Sequence, residues 1–330
     1  MVENRHSSLG LSDEDVLNMY RLMMQARKID ERTWLLNRAG KIPFVVSCQG
    51  QEAAQAGAAF AMDRTTDYLA PYYRDIGLVL GFGMTAKELM LFSFGKAEDP
   101  NSAGRQMPGH FGQRKNRIIT GSSPVTTQLP HAVGFALASK LKREPFVTLT
   151  TIGDGSTNQG DFHEGLNFAG VHKLPVITFV QNNKLAISVP FEKQVASENI
   201  AIRAKAYGMP GVEVDGNDPL QVFAAVKQAR DRAMNEEGPT LIEAVTDRLT
   251  PHSSDDNDKV YRKKEELKMA QENDCIAVFR TYLQDLGILT EEIEQSMKND
   301  ITNEINDATD YADRADFAKV ESLTDFVSEN

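Results

Sequence analysis

The chain has 330 residues, of which 41% are hydrophobic and 25% are charged, and its formal net charge at pH 7 is −11. This composition is that of an ordinary globular protein, and the acidic balance argues against binding to nucleic acid or to an anionic membrane surface. Only Cys48 and Cys275 are present, so we expect no disulfide framework and a location in the reducing cytoplasm. Residues 1–6 show no signal-peptide pattern, and no apolar run approaches the ~18 residues of a membrane span.

A long helix is predicted near the N-terminus, over residues 12–39. Ser12 is a suitable N-cap, and the acids at positions 13–15 suit the positive end of the helix dipole. Apolar residues at helical spacing form one face, namely Val16, Met19, Tyr20, Met23, Met24 and Ile29. Gly40 closes the helix, and we expect residues 1–45 to form an arm that lies over another surface.

Two helices rich in small residues are predicted next, over residues 49–62 and 128–142. Alanine and glycine side chains leave room for close packing against neighbouring elements. Between these helices lies a glycine-rich, irregular region, residues 99–126. Ordered loops of this length are usually functional, so we expect part of a binding site there.

A pattern of strands alternating with helices follows. The predicted strands are residues 146–152, 176–181, 212–214 and 241–245, and the predicted helices are residues 161–172 and 218–236. Residues 146–152 are a continuous β-rich run, which is typical of a buried strand in a parallel sheet. The sequence therefore predicts an α/β fold with a parallel sheet and helices on both faces, in a domain spanning residues 46–262.

The pattern changes after residue 248. Residues 249–261 are mostly polar and aperiodic, so we expect a mobile surface loop there. Residues 263–330 are predicted to be a helical extension. The acids that follow Glu291 indicate a solvated helical tail or, alternatively, a docking surface for a basic partner.

Polar side chains follow two neighbouring predicted strands. Asp154 lies between Gly153 and Gly155 after the first strand, and Asn183 follows the next. Ligands of open parallel sheets bind beyond the carboxyl ends of the strands, and the N-terminus of the intervening helix favours a diphosphate. The Asp154 carboxylate, the Asn183 side-chain oxygen and the Leu185 carbonyl would suit Mg²⁺. A nicotinamide site is a weaker alternative, because residues 153–158 lack the third glycine of a dinucleotide fingerprint.

Several motifs together resemble the alpha chains of the thiamine-diphosphate-dependent 2-oxo acid dehydrogenases, and most closely the bacterial branched-chain type. They are residues 72–75, 104–110, 121–124, 153–183 and 251–256. The resemblance covers about residues 9–325. It implies the thiamine-diphosphate-binding fold, with Mg²⁺ held by Asp154, Asn183 and the Leu185 carbonyl.

The same resemblance implies further roles for individual residues. The implied contacts to thiamine diphosphate come from Tyr73, Arg74, Ser123, Val125, Gly153, Asp154, Gly155, Asn183, Leu185 and His252. A monovalent cation, expected to be K⁺, would be bound by Ser122, Pro124, Thr127 and Gln128. His252 would touch both diphosphate and substrate, and with a pKa near neutrality it could donate a proton or stabilise an oxyanion.

The resemblance also implies the reaction and the partners. The reaction is oxidative decarboxylation of a branched-chain 2-oxo acid, with transfer of the acyl group to a lipoyl-bearing acyltransferase core. The carboxylic acid that activates the cofactor would come from a beta subunit, in a heterotetramer of two alpha and two beta chains. The alternatives are a pyruvate dehydrogenase alpha chain, a non-catalytic scaffold with the same fold, and a nicotinamide-dependent dehydrogenase.

Overall fold

A computed structural model describes residues 4–325, which fold around a five-stranded parallel sheet. The strands are β1 (Tyr68–Ala70), β2 (Thr148–Gly153), β3 (Val176–Asn182), β4 (Leu185–Ala186), β5 (Val189–Pro190), β6 (Gly211–Asp215) and β7 (Thr240–Val245). The sheet has the order β1-β2-β3-β7-β6 with every neighbouring pair parallel, whereas β4 and β5 form a separate antiparallel hairpin. The predicted α/β fold is therefore confirmed.

Helices flank the sheet and extend from it at both ends of the chain. They are α1 (Arg5–Ser8), α2 (Asp13–Arg38), α3 (Glu52–Ala61), α4 (Ile76–Gly81), α5 (Ala86–Phe94), α6 (Gln128–Lys142), α7 (Gly160–His172), α8 (Pro219–Met234), α9 (Lys264–Glu272), α10 (Cys275–Asp285) and α11 (Glu291–Arg314). Helices α2, α3, α6, α7 and α8 correspond to predicted helices. Elements β1, α4 and α5 have no counterpart in the sequence prediction. Within residues 4–325, no helix combines the length and apolarity needed to cross a bilayer.

The two faces of the sheet contribute to two separate hydrophobic cores. On β3, Ile177 and Phe179 belong to the larger core, while Val176 and Val180 belong to the smaller one. Successive residues of a strand point to opposite faces, so this division follows the pleat. The larger core takes side chains from α2, α3, α4, α5, α8, α10 and α11, and the smaller one from α6 and α7. Helices on both faces are thus confirmed.

Small residues let α3 pack closely against α8. A Cβ atom added at Gly57 would lie 2.4 Å from the Pro219 carbonyl oxygen and 2.9 Å from the Val222 Cβ. No larger side chain fits there without moving a helix. The alanine-rich composition of α3 is therefore explained by its position between α2, α4 and α8.

The long helix α2 begins as predicted and packs through its predicted apolar face. The Ser12 hydroxyl accepts from the Asp15 amide, and the Asp15 carboxylate accepts from the Ser12 amide, which forms a capping box. Every residue of the predicted face is buried. Helix α2 contacts α3, α4, α10 and α11. The division of the chain at residues 45 and 262 stays a prediction.

The acidic C-terminal helix α11 is not simply solvated. Ile301, Ile305, Ala308 and Ala312 are buried against the larger core, where α11 contacts α2 and α5. The buried Glu294 accepts a hydrogen bond from Tyr20 on α2 and pairs with Arg280 and Lys298. The prediction of a solvated helix therefore applies only to the outer face of α11. Residues 326–330 of the predicted extension lie outside the described residues.

The polar segment of residues 249–261 is more buried than expected. Ser253 and Asp258 are buried, and most of the remaining residues are half-buried, with Lys259 and Val260 among the few exposed ones. The segment is anchored because the Ser254 amide donates to the Val45 carbonyl at 2.9 Å. The expected surface loop is thus a covering segment that folds over the edge of the sheet.

Candidate functional site

One cavity of about 390 Å³ lies beyond the carboxyl ends of β2 and β3. Every residue that the sequence assigned to the cofactor lines this cavity. Its lining consists of Tyr72, Tyr73, Arg74, Ser123, Val125, Gly153, Asp154, Gly155, Ser156, Asn183, Leu185, Ala186, Ile187 and His252. Residues from five separate parts of the chain thus meet at one edge of the sheet, as expected for a ligand site of a parallel sheet.

The Asp154 carboxylate and the Asn183 amide are both buried in the wall of this cavity. Residue pairing between β2 and β3 aligns Gly153 with Gln181, which brings the residues that follow the two strands to the same edge. Asp154 is 1% exposed, and burial raises the pKa of its carboxyl, opposed by a hydrogen bond from Gln194. The side-chain oxygen of Asn183 is buried without a hydrogen-bond partner.

This donor set fits a hard divalent cation. A buried amide oxygen without a partner is costly unless a ligand satisfies it, and a buried carboxylate is costly unless a positive charge lies beside it. Mg²⁺ takes oxygen ligands and often uses only one or two protein groups together with phosphates. Within residues 4–325, no three His, Cys, Asp or Glu side chains converge to hold a metal by themselves. A metal here would therefore need further oxygen ligands, such as those of a diphosphate.

The hairpin of β4 and β5 covers one side of the site and approaches it very closely. A Cβ atom added at Gly155 would lie 2.7 Å from the Cβ of Ala186, so glycine is required at this position. Lys184 and Ile187, which flank β4, have positive φ angles of 67° and 56°. Such strained residues persist where the surrounding structure holds them, and they cluster at binding sites. Leu185, the predicted backbone ligand, lies between them.

Arg74 is buried at the cavity and is fixed by several acceptors. Its guanidinium donates to the Ser47 carbonyl at 2.7 Å, and to the Nδ1 and the carbonyl oxygen of His252 at 2.9 and 3.0 Å. The guanidinium carbon also lies 5.3 Å from the centre of the Tyr73 ring. No carboxylate pairs with Arg74 among the described residues. Its charge is therefore available to an anionic ligand.

His252 is neutral in this environment, contrary to the expected pKa near neutrality. Burial, together with the charges of Arg74 and Arg248, lowers the pKa of His252 to about 3, although Asp256 opposes this shift. Because the arginine can only donate, Nδ1 of His252 must be the acceptor. The hydrogen of the neutral ring is therefore on Nε2.

Arg248 is a second buried arginine beside the site. It is 1% exposed, and it donates to the Ile187 carbonyl at 3.0 Å and to the Tyr261 hydroxyl at 2.8 Å. Its Nη1 atom is buried without a partner. Burial and the neighbouring Arg74 lower the pKa of Arg248. Two arginines beside one cavity make a positive environment that favours a polyanion.

Ser123 and Val125 enter the cavity from the irregular region that precedes α6. The Ser123 hydroxyl lies 2.6 Å from Nε2 of His110, and Nδ1 of His110 lies 2.8 Å from the Met107 carbonyl. A carbonyl only accepts, so Nδ1 carries a hydrogen, and Nε2 is the ring nitrogen that faces the Ser123 hydroxyl. His110 thus orients the Ser123 side chain.

The residues predicted to bind a monovalent cation lie beside this cavity rather than in it. Ser122, Pro124, Thr127 and Gln128 are absent from the cavity lining. The side chain of Gln128 donates to the Thr151 carbonyl at 2.9 Å. Between them, Thr126 has a φ of 79° and its hydroxyl donates to the Ser156 carbonyl at 2.9 Å. A cation at this loop stays a prediction.

Sequence reasoning missed several residues of the site. Tyr72, Ser156, Ala186 and Ile187 line the cavity, and Gln194 donates to the Asp154 carboxylate at 2.6 Å. The first four lie within two residues of a predicted residue, so proximity in sequence could have found them. Gln194 lies far along the chain from Asp154 and carries no sequence signal of its role.

Comparison with known proteins gives a consistent family. The model of the family described as dehydrogenase E1 component matches residues 20–321. The chain is 63% identical over 327 residues to the 2-oxoisovalerate dehydrogenase subunit alpha of Bacillus subtilis (strain 168), covering 99% of both chains. It is 39% identical over 329 residues to the pyruvate dehydrogenase E1 component subunit alpha of the same organism, covering 99% of this chain and 86% of that one. It is 38% identical over 320 residues to the 3-methyl-2-oxobutanoate dehydrogenase subunit alpha of Mycobacterium tuberculosis (strain ATCC 25618 / H37Rv), covering 91% and 81% respectively.

Proposed function

The chain belongs to the dehydrogenase E1 component family, and on that premise we propose that it is the alpha subunit of a branched-chain 2-oxo acid dehydrogenase. It acts by thiamine-diphosphate-dependent oxidative decarboxylation, with 3-methyl-2-oxobutanoate as the expected substrate. The observation that carries the proposal is the single cavity in which all the predicted cofactor residues meet, with Asp154 and Asn183 buried in its wall.

The proposed cofactors are thiamine diphosphate, Mg²⁺ and a monovalent cation, expected to be K⁺. Asp154, Asn183 and the Leu185 carbonyl would hold Mg²⁺, and Ser122, Pro124, Thr127 and Gln128 would hold the monovalent ion. The proposed partners are a beta subunit, in a heterotetramer of two alpha and two beta chains, and a lipoyl-bearing acyltransferase core. The proposed location is the cytoplasm, to which two buried, free cysteines are suited.

The residues of this chain would bind and orient the reacting groups. When bound, thiamine diphosphate supplies the carbanion chemistry, while the protein supplies position and electrostatics. Arg74 and Arg248 place positive charge where the diphosphate would lie. His252 is proposed as the catalytic residue of this chain, because its Nε2–H can donate a hydrogen bond to an oxygen that gains negative charge.

The choice of substrate is supported by relatives rather than by the cavity itself. The relative at 63% identity is named for 2-oxoisovalerate, whereas the relatives named for pyruvate are 37–39% identical. Turnover of 3-methyl-2-oxobutanoate and pyruvate should be compared with the beta chain present. We expect a higher kcat/KM for the branched-chain acid, and a clear preference for pyruvate would contradict the assignment.

The cofactor site is tested by replacing its carboxylate. Asp154→Ala should abolish Mg²⁺-dependent binding of thiamine diphosphate to the complex of alpha and beta chains, because the metal loses its only carboxylate ligand from this chain. Isothermal titration calorimetry measures the binding directly. The matched control is Asp285→Ala, which makes the same change at an exposed position at the end of α10. Unchanged binding by Asp154→Ala would refute the site.

A further inference from the structure

A chain of buried polar side chains lies directly behind the cavity wall. It consists of Asp75 after β1, Gln181 at the end of β3, and Gln55 on α3, and all three are 0% exposed. None of them lines the cavity. They lie behind the turn that carries Tyr73 and Arg74, which do line it.

Hydrogen bonds connect the three side chains in one continuous series. Gln181 Nε2 donates to Asp75 Oδ1 at 2.6 Å, and Gln55 Nε2 donates to Gln181 Oε1 at 3.0 Å. At the far end, the Gly77 amide donates to Gln55 Oε1 at 2.8 Å, and Gln55 Nε2 also donates to the Arg74 carbonyl at 3.1 Å. The series therefore starts and finishes on the segment of residues 72–77.

The carboxylate of Asp75 sets the direction of this series. A glutamine side chain can point its oxygen and nitrogen either way, whereas an ionised carboxylate only accepts. Asp75 thus requires the nitrogen of Gln181, which turns the oxygen of Gln181 toward Gln55. That arrangement in turn gives Gln55 the orientation that matches the Gly77 amide and the Arg74 carbonyl.

The other oxygen of Asp75 fixes the start of the same turn. Oδ2 accepts from the Tyr72 amide at 2.9 Å and from the Thr151 hydroxyl. Gly77 is held equally closely at the far end, because a Cβ atom added there would lie 2.9 Å from Gln55 Oε1. The backbone on both sides of Tyr73 and Arg74 is therefore tied to one carboxylate.

We infer that Asp75 is a positioning residue of the cofactor site, which holds Tyr73 and Arg74 in place through the directed Gln181–Gln55 series. The inference rests on the proposed function, since it concerns the binding of thiamine diphosphate. Asp75 does not itself line the cavity, so it acts on the ligand only through the turn that it fixes.

The test exchanges the acid and the amide along the series. In Asp75→Asn, the new amide nitrogen faces another donor, either Gln181 Nε2 or the Tyr72 amide. Flipping the side chains of Gln181 and Gln55 would remove the clash with Gln181, but Gln55 Nε2 would then face the Gly77 amide, which is also a donor. In the double variant D75N/Q181E, the new amide at position 75 donates to the new carboxylate at position 181. That carboxylate also accepts from Gln55, so every pairing is restored. The matched control is Asp67→Asn, which alters another fully buried aspartate at the opposite end of β1, where it pairs with Arg230.

Two measurements are made on the complex of alpha and beta chains at pH 8, which is above the pKa of about 7 to which burial raises the Asp75 carboxyl. They are calorimetric binding of thiamine diphosphate with Mg²⁺, and hydrogen exchange of the segment 72–77. We expect Asp75→Asn to weaken binding on the order of 10-fold, and to speed exchange, since buried donors lose their acceptors. The double variant should recover both properties, and Asp67→Asn should bind as the wild type does. Failure of the wild type to bind thiamine diphosphate would refute only the proposed function. Hydrogen exchange needs no ligand, so it would still test the inference about Asp75.

The inference is overturned if Asp75→Asn keeps wild-type binding and exchange. It is also overturned if the double variant is no better than Asp75→Asn, because the direction of the series would then not matter. If Asp75→Asn alone does not fold, the double variant decides: recovery of folding and binding supports the inference, and failure of both overturns it.

Discussion

A buried histidine that feels the charges of two buried arginines cannot easily hold a proton. His252 lies within hydrogen-bond distance of Arg74, and its pKa is lowered to about 3 by burial and by the charges of Arg74 and Arg248. The ordinary pKa of histidine is near 6.5. His252 therefore takes up a proton in the unfolded chain at pH values at which it stays neutral in the folded chain. The hydrogen on Nε2 makes it a neutral donor toward the cavity, and a bound polyanion would offset the two arginine charges.

The first prediction concerns this titration. In the ligand-free complex, NMR of the imidazole should show His252 neutral, with hydrogen on Nε2, and no protonation above about pH 5. Because the unfolded chain takes up this proton near pH 6.5 and the folded chain does not, His252 should reduce stability as pH falls from 6.5 toward 3. His252→Gln identifies the signal and should remove that part of the pH dependence. A His252 midpoint near 6.5 would contradict the environment described.

The hairpin of β4 and β5 depends closely on one residue, Gly155. The hairpin carries the predicted ligand Leu185, and the residues on both sides of β4 are strained by positive φ angles. Its contact with the segment after β2 is possible only because residue 155 has no side chain. The hairpin also precedes Gln194, which donates to Asp154. Its position therefore determines both where the Leu185 carbonyl lies and how the Asp154 carboxylate is oriented.

The second prediction compares two glycines. Gly155→Ala should lower the free energy of unfolding by about 1–3 kcal/mol and weaken cofactor binding, because its Cβ displaces Ala186. Gly134→Ala, in the middle of α6 with no atom within 4 Å of the added Cβ, should stabilise the protein by about 0.5–1 kcal/mol. Urea denaturation measures the free energy of unfolding of both variants. Equal effects of the two substitutions on stability would show that the close approach of Ala186 to Gly155 does not exclude a side chain at position 155.

The stability of the whole molecule should depend on pH through carboxyls far from solvent. Asp30 and Asp75 are fully buried, and burial raises the pKa of each to about 7. A carboxyl with a raised pKa in the folded state contributes stability below its unfolded value near 4, and this contribution is lost as pH rises through 7. For Asp30, Oδ2 accepts from the Ser47 hydroxyl and the Cys48 amide, while Oδ1 has no partner.

The third prediction follows from Asp30. Asp30→Asn resembles the protonated carboxyl, so it should change stability little at pH 5 and increase it relative to the wild type at pH 8. The relative gain between these pH values should be on the order of a few kcal/mol, given a shift of about three pKa units. Thermal or urea unfolding at several pH values measures it, with the exposed Asp285→Asn as control. Parallel curves for Asp30→Asn and the wild type would contradict the raised pKa.

Regular elements were predictable where they were long and had a clear pattern. The capped, amphipathic α2 and the apolar strands β2, β3 and β7 appear close to their predicted bounds. In contrast, β1 has only three residues, and α4 is buried on all sides with no polar face to reveal a helical period. Short or fully buried elements give little periodic signal, because their form is set by the neighbours that enclose them.

The sequence by itself determined the kind of fold, the strand ends that carry Asp154 and Asn183, and the motifs that resemble one family of enzymes. These features are local, since a strand, a cap or a motif is written in neighbouring residues. Only the tertiary structure decided that His252 is neutral, that Gln194 belongs to the site, and that Asp75 directs a buried amide series. Burial and the distances between remote residues control these properties, and neither exists until the chain has folded.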